Sequence, residues 1–245
     1  MNNLKIGIIT QARVGSTRLP GKTLLKINGM TLLEIHLRRL LKSNIPTFLA
    51  TTTEEDAYKL IEIADKLGVK SKIGSIDDVL SRFYLCAKEN NLDIVVRVTS
   101  DCPLIFGDLI KKGVEEFQRL PNWENSYFSN TMERIFPRGL DFEIFSFKML
   151  EKAYLNCLDM KLREHVTPYL YSIENRGIIK INMQYKNLGV SDWRLCVDTK
   201  EDLNLIEVLF EKLNVNEMSY EDLVRTLEKN IKLKSINAEI TQKTF

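Results

Sequence analysis

Residues 4–22 read Leu4-Lys5-Ile6-Gly7-Ile8-Ile9-Thr10-Gln11-Ala12-Arg13-Val14-Gly15-Ser16-Thr17-Arg18-Leu19-Pro20-Gly21-Lys22. The first part is a short apolar run with a single charge, the pattern of a strand covered on both faces. Polarity then changes abruptly. Gly15 and the small Ser16 and Thr17 let backbone N–H groups approach an anion, while Arg13, Arg18 and Lys22 add three positive charges within a ten-residue span. A cationic loop directly after a buried strand suits a triphosphate. The spacing is not that of a Walker loop, because Gly21 comes six residues after Gly15, one too many, and it is not GxGxxG.

Outward from this stretch, apolar runs alternate with amphipathic ones. Strands are predicted over residues 4–10, 47–51, 70–73 and 93–99. Thr31 and Glu34 open a helix as a capping box, and Ala57, Leu60, Ile61, Ala64 and Leu67 mark one face of another that should stop at Gly68. Ser75 and Asp78 cap the helix that follows. Alternating strands and helices predict a parallel sheet covered on both faces, with ligands beyond the carboxyl ends of the strands. In the second half, strands are predicted over 142–147, 178–185 and 194–197. Helices are predicted over 147–156, 163–175 (beginning near Pro168), 199–213 and 219–229. The last dozen residues are polar and read as a loose tail. With no repeat, low-complexity tract or linker, residues 1–245 read as one domain, closed by helices and a tail from about 214.

Composition bounds the function. The chain is 44% apolar and 28% charged, with 35 basic against 33 acidic residues. That balance argues against a protein that coats nucleic acid or a membrane surface. No stretch is long and apolar enough to span a bilayer, and the first residues lack the apolar core of a signal peptide. Cys86, Cys102, Cys157 and Cys196 form no CxxC pair and there are only two histidines, so reduced, buried cysteines and no zinc site are expected, in the cytoplasm.

Two further segments suit chemistry. Thr99-Ser100-Asp101-Cys102-Pro103 ends a Val- and Ile-rich strand, where an aspartate can hold a hard cation. Val197-Asp198-Thr199-Lys200-Glu201-Asp202 again sets carboxylates between an apolar run and a helix; capping needs only one acid, which leaves Asp198 free to meet Asp101. Two separated aspartates with phosphate oxygens between them suit Mg²⁺, which takes few carboxylates.

Six segments occur in a fixed order: residues 11–22, Gly74-Ser75-Ile76-Asp77-Asp78-Val79-Leu80, Asp101-Cys102-Pro103-Leu104-Ile105, Gly139-Leu140-Asp141-Phe142-Glu143, Arg163-Glu164-His165-Val166-Thr167-Pro168-Tyr169, and residues 197–203. Together they resemble the cytidylyltransferases, namely CMP-Kdo synthetase, acylneuraminate cytidylyltransferase and especially the branch of spore-coat polysaccharide biosynthesis protein F. The resemblance runs from about residue 5 to residue 210. It implies a Rossmann-like three-layer α/β/α sandwich with a mostly parallel mixed sheet, CTP as donor, Mg²⁺ as cofactor and a homodimer. It implies that Arg13, Ser16, Arg18 and Lys22 bind the triphosphate, that the Ala12 backbone faces cytosine, and that Asp101 and Asp198 hold magnesium. Thr99-Ser100 stand where CMP-Kdo synthetase has a glutamine before a Gly-Asp pair.

The expected catalytic residues are therefore Arg13, Lys22, Asp101 and Asp198. The expected nucleotide site comprises Gln11, Ala12, Arg13, Gly15, Ser16, Thr17, Arg18, Lys22, Ser75, Asp78, Ser100 and Asp101. A sugar-acid acceptor needs a cation for its carboxylate and partners for its hydroxyls, which points to Arg138, Asp141, Glu143, Arg163, Glu164 and His165. The expected reaction is attack of the acceptor hydroxyl on the α-phosphorus of CTP, releasing pyrophosphate for surface-glycan synthesis. The alternatives are a nucleotidyltransferase for another acceptor such as a sugar phosphate, a glycosyltransferase, which usually carries a DxD pair that Asp101-Cys102-Pro103 lacks, or a non-catalytic nucleotide-binding partner.

Overall fold

Ile8 and Ile9 are both fully buried, and neighbouring side chains on a strand point to opposite faces, so the first strand is covered on both sides. The structure, a computed structural model, describes residues 4–172 and 177–242. After β1 (Ile6–Gln11) come a 3-10 turn (Lys22–Leu24), a small hairpin of β2 (Lys26–Ile27) and β3 (Met30–Thr31), and α1 (Leu32–Leu41). The chain then alternates through β4 (Thr47–Thr52), α2 (Ala57–Lys66), β5 (Lys70–Gly74), α3 (Val79–Glu89), β6 (Ile94–Thr99) and α4 (Gly107–Gln118). The second half adds β7 (Ser126–Ser129), β8 (Glu143–Ser146), α5 (Phe147–Asn156), α6 (Met160–His165), α7 (Pro168–Tyr171), β9 (Ile179–Asn182), α8 (Lys200–Leu213) and α9 (Tyr220–Lys229).

Among the described residues, seven strands form one sheet in the order β5-β4-β1-β6-β8-β7-β9. All pairings are parallel except those of β8, which runs against both β6 and β7. The sheet is thus mostly parallel and mixed, with helices on both faces. Ile8, Val96 and Val98 pack against α1, α4, α8 and α9, whereas Ile9, Val95 and Phe48 pack against α3 and α5. The carboxyl ends of β1, β4, β5 and β6 lie side by side, because Gln11 pairs with both Ala50 and Thr99, and Thr52 with Gly74.

Local signals account for the helix starts. The Thr31 hydroxyl accepts from Glu34 N at 3.1 Å. The Asp78 carboxylate accepts from Ser81 N at 3.0 Å, and Ser75 Oγ accepts from Asp78 N at 3.1 Å. Thr199 and Asp202 form a reciprocal capping box.

Three expectations fail in the second half. The helix predicted over 163–175 is two short ones: α6 ends as Val166 turns to φ 67°, and Pro168, which cannot donate an N–H, starts α7. Residues 173–175 of that expectation lie outside the described residues. The strand predicted over 194–197 is an extended segment with a single bridge to Arg138. It passes so close to Gly139 (φ 99°) that a Cβ there would lie 2.6 Å from Cys196 N. The polar segment after α9 is seated: it forms a 3-10 turn (Ile231–Ile236), and the buried Asn237 side chain donates to Arg194 O at 3.0 Å and Asp202 Oδ1 at 2.8 Å. All four cysteines are buried and reduced.

Candidate active site

The loop after β1 folds back on itself, with Gly21 N donating to Val14 O at 3.2 Å and Thr23 Oγ1 to Arg13 O at 3.3 Å. This places Lys22 at the start of a 3-10 turn, its side chain reaching across the sheet edge. Asp101 follows β6 directly, and Val197 N donates to Asp101 O at 2.8 Å, which brings Asp198 beside it without a strand. Lys22 Nζ donates to Asp101 Oδ2 at 3.2 Å, Asp198 Oδ1 at 2.8 Å and Val197 O at 2.8 Å. Arg18 reaches Asp198 Oδ2 at 3.0 Å and Arg194 reaches it at 2.7 Å.

Arg194 is itself held. Its Nε lies 2.9 Å from Asp202 Oδ1, and it donates to Gln242 Oε1. Asp202 is fully buried and also accepts from the backbone N–H groups of Asp198 and Thr199, at 3.0 and 3.2 Å. Thr199 and Asp202 therefore do the capping between them, and Asp198 turns toward the cations.

Burial opposes charge on Lys22, but Asp101 and Asp198 outweigh it and raise its pKa. Burial would likewise raise the Asp101 pKa, yet Lys22, Thr99 and Cys102 hold it well below the ordinary carboxylate range. Below this pair, His36 bridges Thr10 Oγ1 and Cys102 O, each at 2.9 Å. Burial lowers its pKa to about 4, so the ring is neutral at pH 7. A carbonyl only accepts, so Nδ1 carries the proton and Nε2 accepts from Thr10.

Arg18, Lys22, Asp101 and Asp198 border a cavity of about 380 Å³ at the carboxyl edge of the sheet. Of the expected nucleotide site, Gln11, Ala12, Arg13, Gly15, Ser16, Thr17, Arg18, Lys22, Ser100 and Asp101 line it, as does Asp198. Ser75 and Asp78 do not line it, although their neighbours Ile76 and Val79 do. The N–H groups of Val14 and Gly15 are held by Glu54, at 3.3 and 3.2 Å.

The residues expected to bind an acceptor divide. Glu164 and His165 line the same cavity. Arg163 is turned away, bonded to Asp78 at 2.8 Å and to the carbonyls of Tyr154 and Cys157. Glu143 lies buried beneath, accepting from Arg97, Tyr127 and Thr167. Asp141 pairs with Arg134 at 2.9 Å, and Arg138 borders an adjoining cavity of about 350 Å³ that shares Gln242.

Arg82, Arg97 and Gln242 also line the cavity, and Arg194 holds Asp198 from behind it; the site residues expected from the sequence include none of the four. Arg194 carries a legible signal, its i,i+4 spacing from Asp198 ahead of a helix cap. Gln242 carries none, being one polar residue in a polar segment.

A cytidylyltransferase family model matches residues 7–233. The chain belongs to the cytidylyltransferases. It is 35% identical to a cytidylyltransferase of known structure from Leptospira borgpetersenii, with a TM-score of 0.88 over 99% of this chain and 100% of that one. An uncharacterized protein of Methanocaldococcus jannaschii is 38% identical over 98% of this chain and 97% of its own. The spore coat polysaccharide biosynthesis protein SpsF of Bacillus subtilis is 26% identical over 91% of this chain and 93% of its own. This cytidylyltransferase is thus a CTP-dependent nucleotidyltransferase, and no helix among the described residues is long and apolar enough to cross a membrane.

The carboxylate pair fits a divalent cation. Asp101 and Asp198 already share one cation, the Lys22 ammonium. Among the described residues no three His, Cys, Asp or Glu side chains gather into a metal cage. A two-carboxylate arrangement completed by phosphate and water oxygens is the kind of site Mg²⁺ takes.

Proposed function

We propose that this cytidylyltransferase transfers CMP from CTP to a sugar acid, releasing pyrophosphate, for the synthesis of a surface polysaccharide or glycan. The observation that carries the reading is the meeting of Lys22, Asp101 and Asp198 on one cavity wall beside the cationic loop. The motif resemblance to enzymes that activate ulosonic and nonulosonic acids supports the acceptor class.

The acceptor hydroxyl oxygen bonds to the α-phosphorus and gives up its proton to solvent, as the bond from that phosphorus to the oxygen bridging it to the β-phosphate breaks and that oxygen leaves with pyrophosphate. Arg13, Arg18 and Lys22 offset the charge of the departing pyrophosphate. Glu164 and His165, on the same cavity, face the acceptor. Asp101 and Asp198 would hold Mg²⁺, which supplies charge neutralisation at the phosphate oxygens. To release both carboxylates, Lys22 turns its ammonium to the phosphates. A cytoplasmic homodimer completes the reading.

The test is pyrophosphate release with each of the four nucleoside triphosphates, over a panel of sugar acids and sugar phosphates, with and without Mg²⁺. CTP with a sugar acid and Mg²⁺ is the expected productive set. Turnover confined to sugar phosphates would remove the acceptor assignment, and equal use of all four nucleotides would remove the base assignment.

A further inference from the structure

Three arginines among the described residues are almost fully buried: Arg39, Arg82 and Arg194. Two have acceptors. Arg39 donates to the carbonyls of Ile105 and Asn216, at 2.8 and 2.6 Å, and Arg194 is bonded to Asp198 and Asp202. Arg82 differs. It is 2% exposed, and its Nε and Nη1 have no hydrogen-bond partner among the described residues. A buried guanidinium left in that condition destabilises a fold by several kcal/mol. Two of its three nitrogens have no partner among the described residues.

Glu54 and Asp78 act on Arg82 through their charge, but both are engaged elsewhere. Glu54 accepts from Val14 N, Gly15 N and Thr52 Oγ1, and Asp78 from Arg163 and Ser81 N. Arg13 repels it, and burial with that repulsion lowers its pKa to about 10, which leaves it charged at neutral pH. The room for its stem comes from Gly74, where a Cβ would lie 2.8 Å from Arg82 Cγ. Arg82 also lines the cavity that holds Lys22, Asp101 and Asp198.

We propose that Arg82 is a nucleotide-binding residue of this cavity, donating N–H groups to an acceptor-only part of the bound nucleotide. A guanidinium has donors and no acceptor. The group it meets is therefore a phosphate oxygen, or the edge of a base that presents a carbonyl beside an unprotonated ring nitrogen. The inference rests on the CTP-dependent reading and adds a contact that the phosphate loop does not provide.

The test compares wild type, Arg82→Met and Arg82→Lys by calorimetry with CTP and with inorganic pyrophosphate, alongside thermal unfolding without ligand. Methionine keeps much of the stem and removes the charge, so ligand-free unfolding should occur at the same temperature or higher while CTP binds about 10- to 100-fold more weakly. Lysine keeps the charge and flexibility but not the planar donor set, and should also weaken CTP at least about tenfold. Pyrophosphate affinity falling in parallel identifies a phosphate contact, whereas unchanged pyrophosphate affinity identifies the base. If either variant binds CTP within about twofold of wild type, the proposal is overturned. Should wild type prefer another nucleoside triphosphate, the cytidylyl reading fails, and the same comparison with that nucleotide still decides the role of Arg82.

Discussion

Lys22 Nζ and Asp198 Oδ1 lie 2.8 Å apart although 176 positions separate them in the chain. The same ammonium bonds Asp101, so one loop cation joins the two acids that lie at the ends of different segments. This arrangement makes the site testable residue by residue.

Asp101→Asn and Asp198→Asn each keep side-chain size and remove one charge. Each is expected to lower turnover at least about a hundredfold, roughly 3 kcal/mol of transition-state stabilisation. The double variant should be little worse than either, because groups acting on one centre are non-additive. Steady-state pyrophosphate release checks this. Since Thr199 and Asp202 rather than Asp198 form the capping box of α8, Asp198→Asn should leave that helix start intact and lose only the ion pairs to Arg18, Lys22 and Arg194. An Asp198→Asn enzyme with full activity and unchanged Mg²⁺ dependence would sink the shared-cation reading.

Lys22→Ala and Arg13→Ala should each lose about 1.5–3 kcal/mol of phosphate interaction. The two differ in kind. Arg13 is exposed, so its loss should leave thermal stability alone, whereas removing Lys22 brings Asp101 and Asp198 together without a cation between them. Magnesium should therefore raise the unfolding temperature of Lys22→Ala more than that of wild type; equal shifts would count against a shared position.

Asn237 holds Asp202 and the Arg194 backbone from a segment beyond α9. Asn237→Ala leaves these buried acceptors with one donor fewer and should lower stability by about 1–3 kcal/mol. Because Arg194 orients Asp198, turnover should also fall while CTP affinity is kept. A urea titration together with steady-state kinetics checks both parts; wild-type values in both would show that the segment is only a cover.

His36 predicts a pH dependence of stability. Burial lowers its pKa from 6.5 to about 4, against smaller opposing effects of Cys102 O and Asp101, while Arg39 adds to the lowering. Between those values the unfolded chain binds a proton that the folded protein refuses. The stabilisation is present in full above the unfolded pKa and is lost as pH falls toward 4. From pH 7.5 to 5 the loss is about 2 kcal/mol. Urea unfolding of wild type and His36→Gln at both pH values should show that loss in wild type and a smaller one in the variant. Identical losses would mean that His36 does not carry the effect.

The first half of the fold is legible because its signals are local. Apolar runs of strand length and the caps at Thr31 and Asp78 are set by neighbours within a few positions. The second half is harder to read. A helix expected over 163–175 breaks at Val166 and Pro168, and an apolar run at 194–197 that looks like a strand makes only one bridge. Apolarity there reports burial, since Leu195 and Val197 are core residues, but not ladder pairing.

The sequence by itself determined the alternating α/β architecture, the cationic loop after β1 and two aspartates each following an apolar run. These are encoded by periodicity and by residues adjacent in the chain. Only the tertiary structure decided that Asp101 and Asp198 share Lys22, that Asp202 frees Asp198 from capping, and that residues 237 and 242 brace Arg194. It alone left Arg82 Nε and Nη1 without a hydrogen-bond partner among the described residues, on a side chain that lines the cavity. The physical reason is that hydrogen bonds and charge pairs depend on distances of about 3 Å, which chain folding sets between residues that no local pattern relates.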